Sequence, residues 1–124
     1  MRLLLDTHAF LWWSEGNPRL RVRTRRAIAA AETVVVSAAS AWEAAIKIAL
    51  GRLSIRIPFE QAVEINAFEQ LPITFAHVAA VTGLAPHHRD PFDRMLIAQA
   101  FAEGLTIVTH DPRFEAYGVP VLWT

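Results

Sequence analysis

Asp6 ends the apolar run RLLLD, and Asp111 follows LTIVTH almost at once. Glu43 lies inside the helical pattern SAASAWEAAIKIALG, and Asp93 inside HHRDPFDRMLIAQA. Carboxylates brought together raise one another's pKa unless a cation binds among them. A hard divalent ion such as Mg2+ or Mn2+ takes oxygen donors of this kind. No fixed lysine is placed to neutralise the four acids, Lys47 being the only lysine in the chain. Metal chemistry is therefore within reach of Asp6, Glu43, Asp93 and Asp111, provided the fold gathers them.

Each acid also has a local structural role open to it. Asp6 suits a cap for a helix beginning near His8, and Asp111 with Pro112 suits a turn. Asp90 is a good N-cap, Pro91 suits the first helical position, and an acid three residues past the cap favours the positive helix end. Capping alone thus accounts for both Asp90 and Asp93. Glu43 stands at capping-box spacing from Ser40 and four residues before Lys47. Ser37 is an equally good cap one turn earlier and would leave Glu43 in the second turn. On a helical wheel Glu43 shares a stripe with Ala39, Ile46 and Leu50, beside the apolar stripe of Trp42, Ile46 and Ala49. A carboxylate there faces inward, where losing water is costly unless positive charge meets it. Asp93, followed by Leu96, Ile97 and Ala100, also belongs near an inward side.

The elements that must position these acids alternate in kind. Residues 2–6, 33–37 and 105–111 read as buried strands, 119–123 as a weaker fourth, and the region of 71–75 as another, with Pro72 at a start or edge. Helical patterns occupy 17–32, 37–51 (ending at Gly51), 58–70, 75–83 and 91–104. Strands without clean polar alternation, separated by helices, indicate a parallel sheet covered on both faces. The expected class is α/β, a single three-layer domain over 1–124, with any site beyond the carboxyl ends of the strands.

Composition narrows the functions. Twelve basic and twelve acidic residues give no net charge, which does not indicate a strongly basic nucleic-acid binder. Without cysteine there is no disulfide, thiolate nucleophile or zinc ribbon. The opening MRLLLDTHAFLWW is interrupted by Asp6 too early for a signal peptide, and no stretch resembles a membrane span, so a cytoplasmic location is expected. A 53% apolar content with four tryptophans is high for a small domain and leads us to expect a dimer or a bound partner.

Four strings, LLLDTHAFLWW, VVVSAASAWEAAIKIALGRL, HHRDPFDRMLIAQA and LTIVTHDPRFEAYGVPVLW, resemble in order and spacing the signatures of the PIN-domain family, and within it the VapC-type toxin ribonucleases. The resemblance covers nearly the whole chain. It implies sheet order 3-2-1-4-5 and metal-binding, catalytic roles for Asp6, Glu43, Asp93 and Asp111. Asp93 rather than Asp90 matches, because DRMLIAQA fits the family frame beginning at that residue. Asp111 answers to the family's more variable fourth acid. The resemblance further implies a Mg2+- or Mn2+-dependent endoribonuclease leaving 5′-phosphate and 3′-hydroxyl ends, a VapB-type antitoxin partner and a homodimer.

RNA contacts are sought first at Arg89, Arg94 and Arg113, which neighbour the acids, although each has an acid to pair with. The arginines of RLRVRTRR (19–26) read as a solvated helix face with Leu20, Thr24, Ala27 and Ile28 turned inward. His87 and His88 read as surface-loop residues, since adjacent histidines point apart and no closed zinc set is evident. Trp12, Trp13 and Trp42 read as core or interface, and Thr7 or Thr109 as a hydrogen-bond donor to water or phosphate. A receiver-like phosphoacceptor domain lacks its acidic pair and late lysine here. A catalytically idle PIN fold that only binds partners is the remaining alternative.

Overall fold

Leu3, Leu4 and Leu5 are all fully buried, which a strand exposed on one face would not permit. The computed structural model describes residues Met1–Thr124. In chain order the elements are β1 (Arg2–Leu5), α1 (Thr7–Glu15), α2 (Val22–Ala30), β2 (Thr33–Ser37), α3 (Ala38–Ala49), α4 (Phe59–Ile65), β3 (Glu69–Leu71), α5 (Phe75–Thr82), α6 (Pro91–Glu103), β4 (Thr106–Thr109), a 3-10 turn at Pro112–Tyr117, and β5 (Val121–Trp123). The strands form one parallel sheet in the order β3-β2-β1-β4-β5. This is the expected α/β architecture and the expected strand order.

The alternation of side chains along β1 and β2 divides the interior in two. Leu3, Leu5, Val34 and Val36 face a core completed by Phe10 of α1, Leu20 of the α1–α2 connection, Ile28 of α2 and Val63 of α4. Leu4, Val35 and Ile107 face the other, with Ala39 of α3, Leu96 and Ile97 of α6, and Phe114. No helix is long and apolar enough to cross a membrane.

Three boundaries differ from those read in the sequence. The helix expected from 17 begins at Val22, because Asn17 Oδ1 accepts the Arg19 N–H in a side-chain turn. The strand sought near 71–75 lies at Glu69–Leu71. Pro72, having no N–H for the ladder, ends that strand rather than opening it. Helix α4 stops at Ile65 because Asn66 folds back onto Ala62 O and Ala67 turns to φ 55°.

Candidate metal centre

The pairing of β1 with β4 decides where the first acid goes. Leu5 stands opposite Val108, and the Asp6 N–H extends the pairing by donating to Val108 O at 3.0 Å. Asp6 therefore leaves the sheet at its carboxyl edge, where it also caps α1: Oδ1 accepts the Ala9 N–H at 2.8 Å. The residue is 4% exposed. Asp111 sits at the same edge, two residues past β4, its N–H bound to Thr109 Oγ1 at 3.1 Å. Ser37 caps α3 through the Ala39 N–H, so Glu43 falls in the second turn and points inward, 7% exposed. Asp90 caps α6, accepting the Phe92 and Asp93 N–H groups at 2.8 and 3.1 Å, and Asp93 lies in the first turn behind it.

Asp93 registers the convergence. Burial, followed by the charges of Asp90, Asp6, Glu43 and Asp111, pushes its carboxyl up to about 8. Burial likewise raises Asp6, against the hydrogen bonds from Thr109 and Ala9 and the nearby His8 and His110. Neither Asp6 nor Asp93 has an arginine or lysine partner, whereas the other two acids do. Lys47 Nζ lies 3.0 Å from Glu43 Oε2, with Thr7 Oγ1 donating to Oε1 at 2.6 Å. Burial works to raise Asp111 too, but the fork from Arg113 outweighs it and holds the carboxyl down at about 2. In that fork Nη2 reaches Asp111 Oδ2 at 2.8 Å and Nε reaches Oδ1 at 3.0 Å. Ligand atoms of Asp93, Asp111 and His88 lie within 4.8 Å of one another, close enough to share one divalent cation, with the charges of Asp6 and Glu43 bearing on Asp93 beside them.

Four acids at the carboxyl edge of a β3-β2-β1-β4-β5 sheet agree with a sequence match: the PIN domain family pattern fits residues 3–120. The chain belongs to the PIN-domain family. Ribonuclease VapC22 of Mycobacterium tuberculosis is 30% identical over an alignment of 123 positions that covers 95% of this chain and 93% of that one. Two solved structures share the fold. The DNA-bound VapBC of Salmonella typhimurium has a TM-score of 0.70 at 17% identity, over 99% of this chain and 98% of that chain. VapC20 of Mycobacterium tuberculosis, described as a sarcin-ricin loop cleaving toxin, has a TM-score of 0.58 at 21% identity, over 94% and 95% of the two chains.

Several expectations about this PIN domain need correction. His88 is not a surface-loop residue; it is 2% exposed, with Nε2 2.9 Å from Asp93 Oδ2 and 3.1 Å from Asp111 Oδ2. That neighbouring histidines point apart argues against a zinc pair, yet it is what allows one of them to point inward while His87 stays exposed. Arg94 is not free for phosphate. Its guanidinium binds the carbonyls of Val81, Leu84, Ala85 and His88 and the Tyr117 hydroxyl, fastening the loop that delivers His88. The Glu43–Lys47 pair and the Asp111–Arg113 pair, both open in the sequence, are formed, so the expectation that no lysine neutralises the acids does not hold for Glu43. Thr7 donates to Glu43 rather than to solvent. Trp42, Ile46 and Leu50 are exposed, so Glu43 shares its buried face with Ala39, Ser40 and Ala44 instead. The arginine-rich segment does turn Leu20, Thr24 and Ile28 inward.

Proposed function

We propose that this PIN domain is a metal-dependent endoribonuclease, the toxin of a VapBC-type pair acting in the cytoplasm. The observation that carries the reading is the meeting of Asp6, Glu43, Asp93 and Asp111 at one sheet edge, with Asp93 raised to about 8 by burial and by its acidic neighbours. That charge excess fits Mg2+ or Mn2+. Asp6 and Asp93, which have no arginine or lysine partner, would hold the ion. Glu43 and Asp111 would stand beside them as further carboxylates for a second ion or for a bound water. A divalent cation bound there supplies a lowered pKa for water and a counter-charge for phosphoryl oxygens.

The remaining residues prepare that chemistry. Thr7 and Lys47 fix Glu43 from two sides, Thr109 fixes Asp6, and Arg113 fixes Asp111. Arg89, exposed and one residue before the α6 cap, is placed to meet RNA phosphate. The VapB-type partner follows from the VapBC complexes that share this fold. A groove of about 610 Å³ lined by Phe10, Leu11, Ile55, Ile57 and Phe59 offers apolar surface for it. Exposed Trp42 and Ile46 on α3 and Leu50 at its C-cap, with Phe75 and Val78 on α5, support a homodimer.

The test is cleavage of a panel of structured RNAs with Mg2+, Mn2+ or EDTA, beside an Asp6→Ala/Asp93→Ala protein. Metal-dependent cutting lost in the variant is the expected result. Metal binding without any cutting would favour an idle interaction module, and absence of metal binding would overturn the carboxylate centre.

A further inference from the structure

His88 is buried against both Asp93 and Asp111, yet its other ring nitrogen decides what it can do there. The Asp90 backbone N–H donates to Nδ1 at 3.2 Å, so Nδ1 carries a lone pair and the ring's single hydrogen is on Nε2. A histidine that ligates a metal through one nitrogen keeps its hydrogen on the other and donates it to an acceptor. Here the other nitrogen faces a donor. Nε2 is therefore an N–H group, donating to Asp111 Oδ2 at 3.1 Å, with Asp93 Oδ2 2.9 Å from the same nitrogen.

We propose that His88 is a positioning residue, and not a metal ligand: its Nε2–H ties Asp111 of the β4 edge to Asp93 of α6 and sets the spacing of the two carboxylates. This rests on the nuclease reading above. The clamp is held rigidly from behind. The His88 N–H binds the Tyr117 hydroxyl at 2.9 Å, and that hydroxyl donates to Ala85 O at 2.6 Å. Arg94 Nη1 reaches His88 O at 3.3 Å, and the Phe114 ring stands edge-on at 5.7 Å and 90°. Asp111 already receives Arg113 on both oxygens. His88 thus reaches from that anchored acid to within 2.9 Å of Asp93, which, like Asp6, has no arginine or lysine partner. Asp93 Oδ1 takes no hydrogen bond from the chain and would be the oxygen open to an ion.

The experiment combines nitrogen-15 NMR of the histidine rings with Mn2+ titration calorimetry and cleavage kinetics on wild type, His88→Ala and His88→Gln. The amide of the glutamine variant keeps a donor near the Nε2 position. In the metal-free wild type the His88 ring should show its hydrogen on Nε2, and Mg2+ should leave it there. His88→Ala should weaken Mn2+ binding or kcat about 10- to 100-fold with KM little changed, and His88→Gln should recover part of the loss. Loss of the Nε2 hydrogen on Mg2+ binding would make His88 a ligand and overturn the proposal, a result that does not depend on the alanine variant folding. Unchanged Mn2+ affinity and kcat in a folded His88→Ala protein would overturn it as well. A wild-type protein that neither binds Mn2+ nor cuts RNA would instead overturn the nuclease reading, and this inference with it.

Discussion

The Thr7 hydroxyl donates to Glu43 Oε1 at 2.6 Å, tying the first turn of α1 to the second turn of α3. Both groups are buried, so the bond is made out of water's reach, and hydrogen bonds to charged groups contribute about 1.5–3 kcal/mol. Thr7→Val keeps the shape and removes the donor. It should destabilise the metal-free protein by about that amount in urea denaturation, while Thr7→Ser should lose much less. Equal stability of all three proteins would show that Lys47 alone suffices for Glu43.

Asp93 makes the metal-free fold sensitive to alkali. Its carboxyl sits at about 8 in the folded chain against 3.8 unfolded, so between those values the folded state holds a proton that the unfolded state has lost. The associated stability is fully present below about pH 4 and disappears as pH rises through about 8. Asp6, also raised, acts with the same sign. In EDTA, the melting temperature should fall between about pH 5 and pH 8, and Asp93→Asn should flatten that slope. The same variant should lose RNA cleavage while remaining folded.

Cation binding should reverse the effect where the acids are ionised. At a free concentration of about 100 times Kd, a ligand specific to the folded state adds about 2.7 kcal/mol. Mg2+ or Mn2+ should therefore raise the melting temperature more at pH 8 than at pH 6, and less in Asp93→Asn than in wild type. Differential scanning calorimetry at the two pH values checks this. An ion that stabilises wild type and variant equally would be binding elsewhere.

Arg113 is what holds Asp111 down. With Arg113→Gln the Asp111 carboxyl should climb from about 2 toward the ordinary carboxylate range. A depressed carboxyl contributes stability that is present above its unfolded value and is lost as pH falls through about 2, so the variant should show a shallower acid limb. Carbon-13 NMR of the side-chain carboxyls reads the change directly.

Phe114 links the core to the site. It is fully buried in the cluster that contains Leu4, Ile107 and Leu96, and its ring meets His88 edge-on. Phe114→Ala should cost about 3–5 kcal/mol in guanidinium denaturation. It should also lower cleavage in protein shown to be folded, because the void lies behind the His88 ring. Full activity in such a protein would separate the core from the site.

The local patterns of the sequence carried much of this protein. Unbroken apolar strands such as LLL and VVV could be buried only on both faces, which dictated a helix-covered parallel sheet. Ser37 and Asp90 set helix starts by short-range hydrogen bonds, and those starts determined which way Glu43 and Asp93 point. The family signatures supplied the strand order and the four acids. What tertiary structure alone decided were contacts between residues far apart in the chain: Thr7 with Glu43, and His88 with Asp93 and Asp111. Arg94 was legible as a charge but not as the brace of the 81–88 loop, since its acceptors are carbonyls, which every residue has. His88 looked like half of a loop pair because no periodicity marks a loop side chain as inward. Its burial depends on α6 and the β4 edge meeting behind it, and no local stretch of sequence encodes that meeting.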